Sequence, residues 1–390
     1  MQDTHRGKHP YLVVTSGYPS ADDLYNKAFV HTRVRYYRAQ GFDVRVFDYD
    51  RRVTEPETYV FDGVPVTVGD DAALRSEVAH RGVRKLLVHF LTPRLGECLR
   101  GFGSDVETVV WFHGYGADGW HRRWWEHIDS GRDLREWVRG RDEHNARTRD
   151  FYQSYFDEQA DRLQAVFVSA WFRDHVFGPD MGFVPEKSSV IHNPVDTSLF
   201  GYRKKNADDR LKVLLLRPFN RRFYGNDLAV RAIELGSRRD WFKEMQFTLV
   251  GDGDYWDDLT GRIAHLENVD LQRGFVAQRE VPGLHARHGT FLVPSRKDTQ
   301  GVSRDEAMSS GLVPITHAVD AIPDFVTNGE DAWLAPMDSA VELVEALERV
   351  HADPEMYLRM SETAAFRVRQ QRSLGVIGPQ ELALFADTGL

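Results

Sequence analysis

Two carboxylic acids, Asp298 and Glu306, stand in the stretch from Pro294 to Met308 with seven residues between them. The apolar run Thr290 to Val293 just before them reads as a buried strand. The stretch carrying Glu306, Ala307 and Met308 reads as a helix that stops at Gly311. One acid therefore falls in a polar loop and the other in the first turns of a helix. The free N–H groups and dipole of a helix N-terminus favour phosphate. Carboxylates repel phosphate and are better used on hydroxyls. A ligand carrying both kinds of group, a sugar nucleotide, satisfies the two demands together.

A third reactive type appears earlier, in Val109-Val110-Trp111-Phe112-His113-Gly114. An apolar strand runs out at His113 and places an imidazole at the carboxyl edge of a sheet, where α/β proteins present their ligand sites. Trp120, Trp124, Trp125 and Trp137 lie just beyond, among eight arginines and eight acids between residues 117 and 150. Tryptophan faces stack on sugar rings, so a glycan platform is one reading. Helix packing is the other, because these residues recur at helical spacing.

The elements that must hold these groups form two alternating series, which predicts parallel sheets. The first has strands at Tyr11 to Thr15, Val44 to Phe47, Lys85 to Phe90, Thr108 to Phe112 and Ala165 to Ser169. Its helices cover about 22–40, 71–80, 120–138 and 142–163. Tyr202 to Arg210 is charged, lacks periodic apolar residues and reads as the interdomain connection. The second series has strands at Val213 to Leu216, Gln246 to Val250, Thr290 to Val293, Leu312 to Thr316 and Ala332 to Leu334. Ser339 and Glu342 have capping-box spacing, and Val341, Val344, Leu347 and Val350 continue on one helical face. Residues 355–388 read as helical.

The two acids, with other stretches in the same order, resemble the family-4 retaining glycosyltransferases of GT-B fold. Val250-Gly251-Asp252-Gly253 is similar to that family's strand-end glycine turn. Glu267 to Val269, Gly274 to Val276 and Val281 to Ala286 are similar to its base-binding segment. Ile191-His192-Asn193-Pro194-Val195-Asp196 with Phe200 resembles the element that closes the first domain. The resemblance is good over about 190–350 and loose before that. It implies two facing Rossmann-like domains with a cleft between them, at 1–200 for the acceptor and 201–370 for the nucleotide sugar. Residues 371–390 would form a helix crossing back to the first domain.

The resemblance also implies roles. Family members hold the donor pyrophosphate with an Arg and, five residues later, a Lys; Arg217 matches the first and Arg222 falls at the second. Tyr224-Gly225 disturbs the register, so Arg221 is a rival. Guanidinium in place of ammonium keeps the charge and adds planar, bidentate donors. Glu306 would accept the ribose hydroxyls, and Gly251, Arg273 and Phe275 would line the nucleotide. Asp298 would contact the donor sugar, where the family usually has Glu; the shorter side chain withdraws the carboxylate by ~1.5 Å. Thr299-Gln300-Gly301 stands where the family usually has Gly-Phe-Gly, with Gly301 retained so that backbone N–H groups approach the sugar and β-phosphate; Gln300 and Val302 would bind the donor beside it. His113 would lie beside the donor sugar. Gly17 is the one glycine in a loop where the family often has two. No carboxylate nucleophile is assigned, since the family is thought to pass the acceptor proton to the leaving phosphate.

Composition fits this expectation. A chain of 390 residues suits two α/β domains. Lys plus Arg is 50 against Asp plus Glu 59, a net charge of −9, which offers no general attraction to nucleic acid. The single cysteine, Cys98, excludes an internal disulfide framework and fits a reducing compartment. No apolar run approaches a membrane span, and the start lacks a signal-peptide core. The expectation is a cytoplasmic protein, with room for peripheral contact at the inner membrane face. It would use a nucleotide-sugar donor and a glycan or lipid-linked acceptor, in polysaccharide assembly, with no metal or cofactor. A UDP-sugar is favoured over a GDP-sugar by family frequency. Donor sugar, acceptor and oligomeric state are left open.

Other classes fit less well. A metal-dependent GT-A transferase would use Asp48-Tyr49-Asp50, a tripeptide common by chance. A nicotinamide oxidoreductase would use Gly251 and Gly253, but Trp256 occupies the place of the third glycine. A GT-B epimerase or hydrolase would share the nucleotide site without an acceptor. A non-enzymatic sugar-nucleotide-binding module would share it without turnover.

Overall fold

A computed structural model describes residues 9–24, 26–114, 116–126 and 131–385, with backbone alone at 124, 125 and 131–133. The chain divides into two compact units, Met1–Pro194 with Gly375–Leu390, and Val195–Leu374. The sequence placed breaks at 200/201 and 370/371; the contacts place them at 194/195 and 374/375. The two ends of the second unit are tied together. Val195 N donates to Arg372 O at 2.7 Å and Leu374 N donates to Val195 O at 2.9 Å, forming a bridge between Val195 and Ser373.

Unit 1 is built on eight strands, β1 (Tyr11–Thr15), β2 (Val44–Tyr49), β3 (Glu57–Phe61), β4 (Val64–Gly69), β5 (Lys85–His89), β6 (Glu107–Phe112), β7 (Leu163–Phe167) and β8 (Ser188–Val190). Their order is β3-β4-β2-β1-β5-β6-β7-β8, parallel except that β3 runs against β4. Every residue of β1 and β5 is buried, as parallel strands covered on both faces require. Asp62 and Gly63, both at positive φ, make the tight turn between β3 and β4. Sequence reading did not extract this hairpin, although Asp-Gly between alternating residues is its usual signal.

Helix Ala28–Ala39 starts later than expected, after Lys27 at φ 55°. One long helix, Gly131–Glu158, replaces the two expected over this region; Trp120–Glu126 is 3₁₀ instead. The end of the chain returns to unit 1, as the sequence led us to expect. Tyr11 donates its hydroxyl to Phe385 O at 3.2 Å, and Gly378 lies so close to the Tyr36 ring that a Cβ would overlap it.

Unit 2 has six strands, all parallel: β9 (Lys212–Leu216), β10 (Gln246–Gly251), β11 (Val269–Arg273), β12 (Thr290–Leu292), β13 (Val313–His317) and β14 (Trp333–Ala335). The order β11-β10-β9-β12-β13-β14 reverses direction at β9, so β9 and β12 flank a topological switch point. Strand β11 is an edge strand with no residue buried, and it escaped the sequence reading because it has no apolar run. Ser339 Oγ accepts from Glu342 N at 3.2 Å and caps helix Ala340–Ala352.

The expected helix over 355–388 is broken at Ser373 into Pro354–Arg372 and Leu374–Ala383. The stretch Tyr202 to Arg210, expected as the interdomain connection, lies within unit 2 and is anchored there: buried Lys205 donates to the carbonyls of His285 and His288, each at 2.7 Å. Both carbonyls lie at the end of helix Val281–Arg287, where the His285 oxygen has only the long 3.4 Å bond from His288 N besides. No described helix is long and apolar enough to cross a membrane.

Candidate functional site

The loops leaving β9 and β12 meet at the switch point of unit 2 and are latched to each other. Arg296 N donates to Phe223 O at 2.9 Å. The Arg296 guanidinium grips both Asp227 oxygens at 2.7 Å, reaches Asp338 at 2.5 Å and donates to Arg222 O at 2.8 Å. Gly225, at φ 67°, passes so close to Pro294 that a Cβ would stand 3.0 Å from its carbonyl oxygen. Arg296 was not singled out from the sequence. Its signal is weak, because the aspartates it binds lie far from it in the chain.

Arg217 leaves β9 with its guanidinium over the Tyr224 ring, 5.2 Å from the centroid. Its Nε is buried without a hydrogen-bond partner among the described residues. Burial pulls its pKa below the usual guanidinium value, and the charge of Asp298 works the other way. Gly251 and Gly253 lie beneath this loop. A Cβ on Gly251 would overlap the Arg217 carbonyl, and one on Gly253 would sit 2.5 Å from Phe219 C. The glycine turn thus supports the arginine loop by close backbone approach. Arg222 lies over the Tyr255 ring at 5.9 Å, while Arg221 is exposed and its charge is felt by Tyr224.

The β12 loop is held from inside. Asp298 N donates to Asp320 Oδ2 at 3.0 Å, and Asp298 Oδ1 accepts from Gln300 N at 3.1 Å. Asp320 is itself at φ 47°, a conformation that few non-glycine residues adopt. The Gln300 side chain is buried and turned inward, with its Nε2 3.3 Å from Asp305 Oδ2. Gly301, at φ 91°, opens helix Val302–Ser309, and a Cβ there would press on Arg304 at 3.0 Å. Behind the loop lies a buried charge cluster. Asp305 binds Arg304 Nη2 at 2.8 Å and Arg372 Nε at 3.0 Å, with all three side chains at most 1% exposed. Val302, in the first turn, is half-buried.

Glu306 projects from the same helix. Gln278 Nε2 donates to its Oε1 at 3.1 Å. Burial lifts this carboxyl to about 7; Gln278 lowers it and the charges of Asp305 and Asp196 raise it. Phe275, beyond β11, is 50% exposed. Arg273 donates to Asp252 at 2.9 Å and to Asp257 at 3.0 Å on the open surface, so its guanidinium is already engaged. Gln278 escaped the sequence reading because it falls between the two matched stretches, Gly274 to Val276 and Val281 to Ala286.

Unit 1 has its own switch point, where β1 separates β2 from β5. Gly17, at φ 118°, leaves β1 and donates its N–H to Asp48 Oδ1 at 2.5 Å. Asp50 is held by Arg52 at 2.6 Å. The two aspartates of the tripeptide thus serve separate loops, and among the described residues no group of three or more His, Cys, Asp or Glu side chains could hold a metal ion. His113, at the exit of β6, contacts His89 Nδ1 through Nε2 at 2.9 Å and packs against Phe29 and Phe90. Burial holds both imidazoles well below the ordinary histidine pKa, so each is neutral at pH 7.

Trp120 packs edge-on against Trp137 at 5.6 Å and donates to Asp142 at 2.5 Å. These two rings pack on each other, and the side chains of Trp124 and Trp125 lie outside the described residues.

Comparison with known proteins agrees with this layout. The family model for glycosyl transferases group 1 matches residues 211–353. An alpha-D-kanosaminyltransferase of Streptomyces kanamyceticus is 27% identical over 150 residues, covering 38% of this chain and 39% of the relative. The amylovoran biosynthesis glycosyltransferase AmsK of Erwinia amylovora is 26% identical over 179 residues, covering 44% and 43%. The chain spans less than half the length of either curated relative. Among solved structures, sucrose-phosphate synthase from Thermosynechococcus elongatus superposes with a TM-score of 0.74 at 17% identity, covering 97% of this chain and 98% of that one. Anabaena Alr3699/HepE in complex with UDP-glucose gives 0.68 at 15% identity, covering 97% and 99%. At such identities the likeness is one of fold. Residues 211–353 therefore match the glycosyl transferases group 1 model, within a chain of GT-B fold.

Proposed function

We propose that this chain is a glycosyltransferase that moves a sugar from a nucleoside diphosphate to a glycan or lipid-linked acceptor in polysaccharide biosynthesis, with retention of configuration and without a metal ion. The observation that carries the reading is the switch point of unit 2, where the under-bonded Arg217 cation and the Asp298 carboxylate stand on loops locked to one another and Glu306 projects from the helix that follows. Arg217 and Arg222 meet the diphosphate, and their fixed charge stabilises the leaving nucleotide as the glycosidic bond breaks. Glu306 accepts the ribose hydroxyls, and Phe275 offers its exposed ring to the base. Asp298 orients the donor sugar through its hydroxyls.

Unit 1 takes the acceptor, with neutral His113 as a hydrogen-bonding group for a hydroxyl. The departing phosphate oxygen receives the acceptor proton, which leaves no side chain with the work of a nucleophile. UDP is the favoured carrier; a neighbour of the same fold binds UDP-glucose, and one relative is a polysaccharide biosynthesis glycosyltransferase. A cytoplasmic location, with peripheral contact at the inner membrane face, fits such a role.

The test is a thermal-shift screen of nucleotide sugars, since a ligand that binds only the folded state raises its melting temperature. Product analysis with and without chelator then follows, using candidate acceptors and NMR of the anomeric proton. No shift with any nucleotide sugar would end the proposal. Free or epimerised sugar formed without acceptor would replace it with a hydrolase or epimerase.

A further inference from the structure

Asp298, the acid of the β12 loop, is held through its backbone by two consecutive residues of another loop. Its N–H donates to Asp320 Oδ2 at 3.0 Å, and its carbonyl accepts from Ala321 N at 3.3 Å. Asp320 and Ala321 lie between β13 and helix Ile322–Phe325. His317, the last residue of β13, contacts Ser295 O through Nδ1 at 3.1 Å and ties the same two loops together a step earlier. Among the described residues, five other than glycine stand at positive φ. Two of the five, Asp320 at 47° and Asp338 at 61°, grip this one loop, the first at Asp298 N and the second at Arg296 Nε.

A left-handed backbone costs an L residue free energy, and aspartate and asparagine bear it better than most. Glycine adopts it freely. What glycine lacks is the side-chain oxygen that meets Asp298 N, so the strain at Asp320 is matched by one bond that the easier residue could not make. Strained residues persist where their surroundings over-determine them, and they gather at functional sites. The bond also bears on the Asp298 carboxylate. Its backbone is fixed on both sides of Cα, and Oδ1 accepts from Gln300 N at 3.1 Å, which leaves the group little freedom to turn. It stands where its charge acts on the Arg217 guanidinium.

We propose that Asp320 is a positioning residue that aims the Asp298 carboxylate at the donor sugar, so that the loop leaving β13 governs how the sugar, and not the nucleotide, is held. The inference rests on the reading that Asp298 meets the donor sugar. Asp320→Gly frees the backbone and removes the acceptor, whereas Asp320→Asn keeps an acceptor oxygen and tolerates the conformation. Both are compared with the wild type in the full-length chain. Amide hydrogen exchange across 296–300, read by mass spectrometry, should be about tenfold faster in Asp320→Gly and unchanged in Asp320→Asn. With the UDP-sugar that the thermal-shift screen selects, kcat should fall about 10–100-fold in Asp320→Gly, the loss that a small misplacement brings, and less than about threefold in Asp320→Asn. The Kd for UDP, which carries no sugar, should stay within about twofold in both. Unchanged exchange in Asp320→Gly overturns the anchor. Equal losses of turnover in the two variants, or UDP affinity falling in step with turnover, overturn the positioning role. An Asp320→Gly chain that does not fold would make the anchor structural and overturn that role as well. A wild type that binds UDP but transfers no sugar would defeat the proposed reaction, and the exchange measurement would still decide the anchor.

Discussion

Gln278 Nε2 donates to Glu306 Oε1 across 3.1 Å, a neutral partner for a carboxyl that burial lifts from 4.5 to about 7. Between about pH 4.5 and 7 the folded protein keeps a proton there that the unfolded chain has released. Stability from this group is therefore full below pH 4.5 and declines as pH rises toward 7. Glu306→Gln should remove that slope. Urea unfolding at pH 5 and pH 8 should show the variant gaining about 1–2 kcal/mol on the wild type between the two, after screening of a half-buried group. Because the ionised form accepts hydroxyl hydrogens better, UDP affinity should also rise with pH up to about 7 in the wild type alone. A parallel pH response in both proteins would remove Glu306 from the account.

Arg217→Met separates stability from function. Its Nε is buried without a hydrogen-bond partner among the described residues, so an apolar side chain of similar length should leave the melting temperature equal or higher. Turnover should fall about 10²–10³-fold, the loss seen when one preorganised donor to developing charge is removed. Activity near the wild-type level would show that the diphosphate is held elsewhere.

Gly251→Ala tests the support beneath that arginine. The new methyl overlaps the Arg217 carbonyl and meets the Phe219 ring at 2.9 Å, so the loop must move. Overpacking of this kind costs about 1–3 kcal/mol, and UDP affinity should fall with it. If calorimetry found affinity intact in a destabilised protein, the turn would be structural only.

Asp305→Asn leaves Arg304 and Arg372 facing each other without their shared anion. A loss of about 3–5 kcal/mol is expected by equilibrium unfolding. A loss under about 1 kcal/mol would mean that water reaches this cluster.

Much of this was legible in the residues themselves. β1, β5, β9 and β12 announce themselves as short apolar runs, and Arg217, Asp298 and Glu306 stand where such strands end. Edge elements were harder. β11 has no buried residue to give it a period, and the β3–β4 hairpin pairs an exposed strand with one of mixed pattern. Partners distant in the chain were illegible. Nothing near Arg296 names Asp227 or Asp338, and nothing near Asp298 names Asp320. Gln300 misled in the other direction: a polar residue in a polar loop reads as ligand-facing, yet its amide is turned inward toward Asp305.

The bridge between Val195 and Ser373 means that the whole 195–374 body is spliced into its host at a single seam. A segment whose entry and exit are neighbours can be lifted out, exchanged with that of another such protein or expressed alone without rerouting the surrounding polypeptide. The 195–374 body can then be recombined with a different first unit by cutting at only two peptide bonds, after Pro194 and after Leu374.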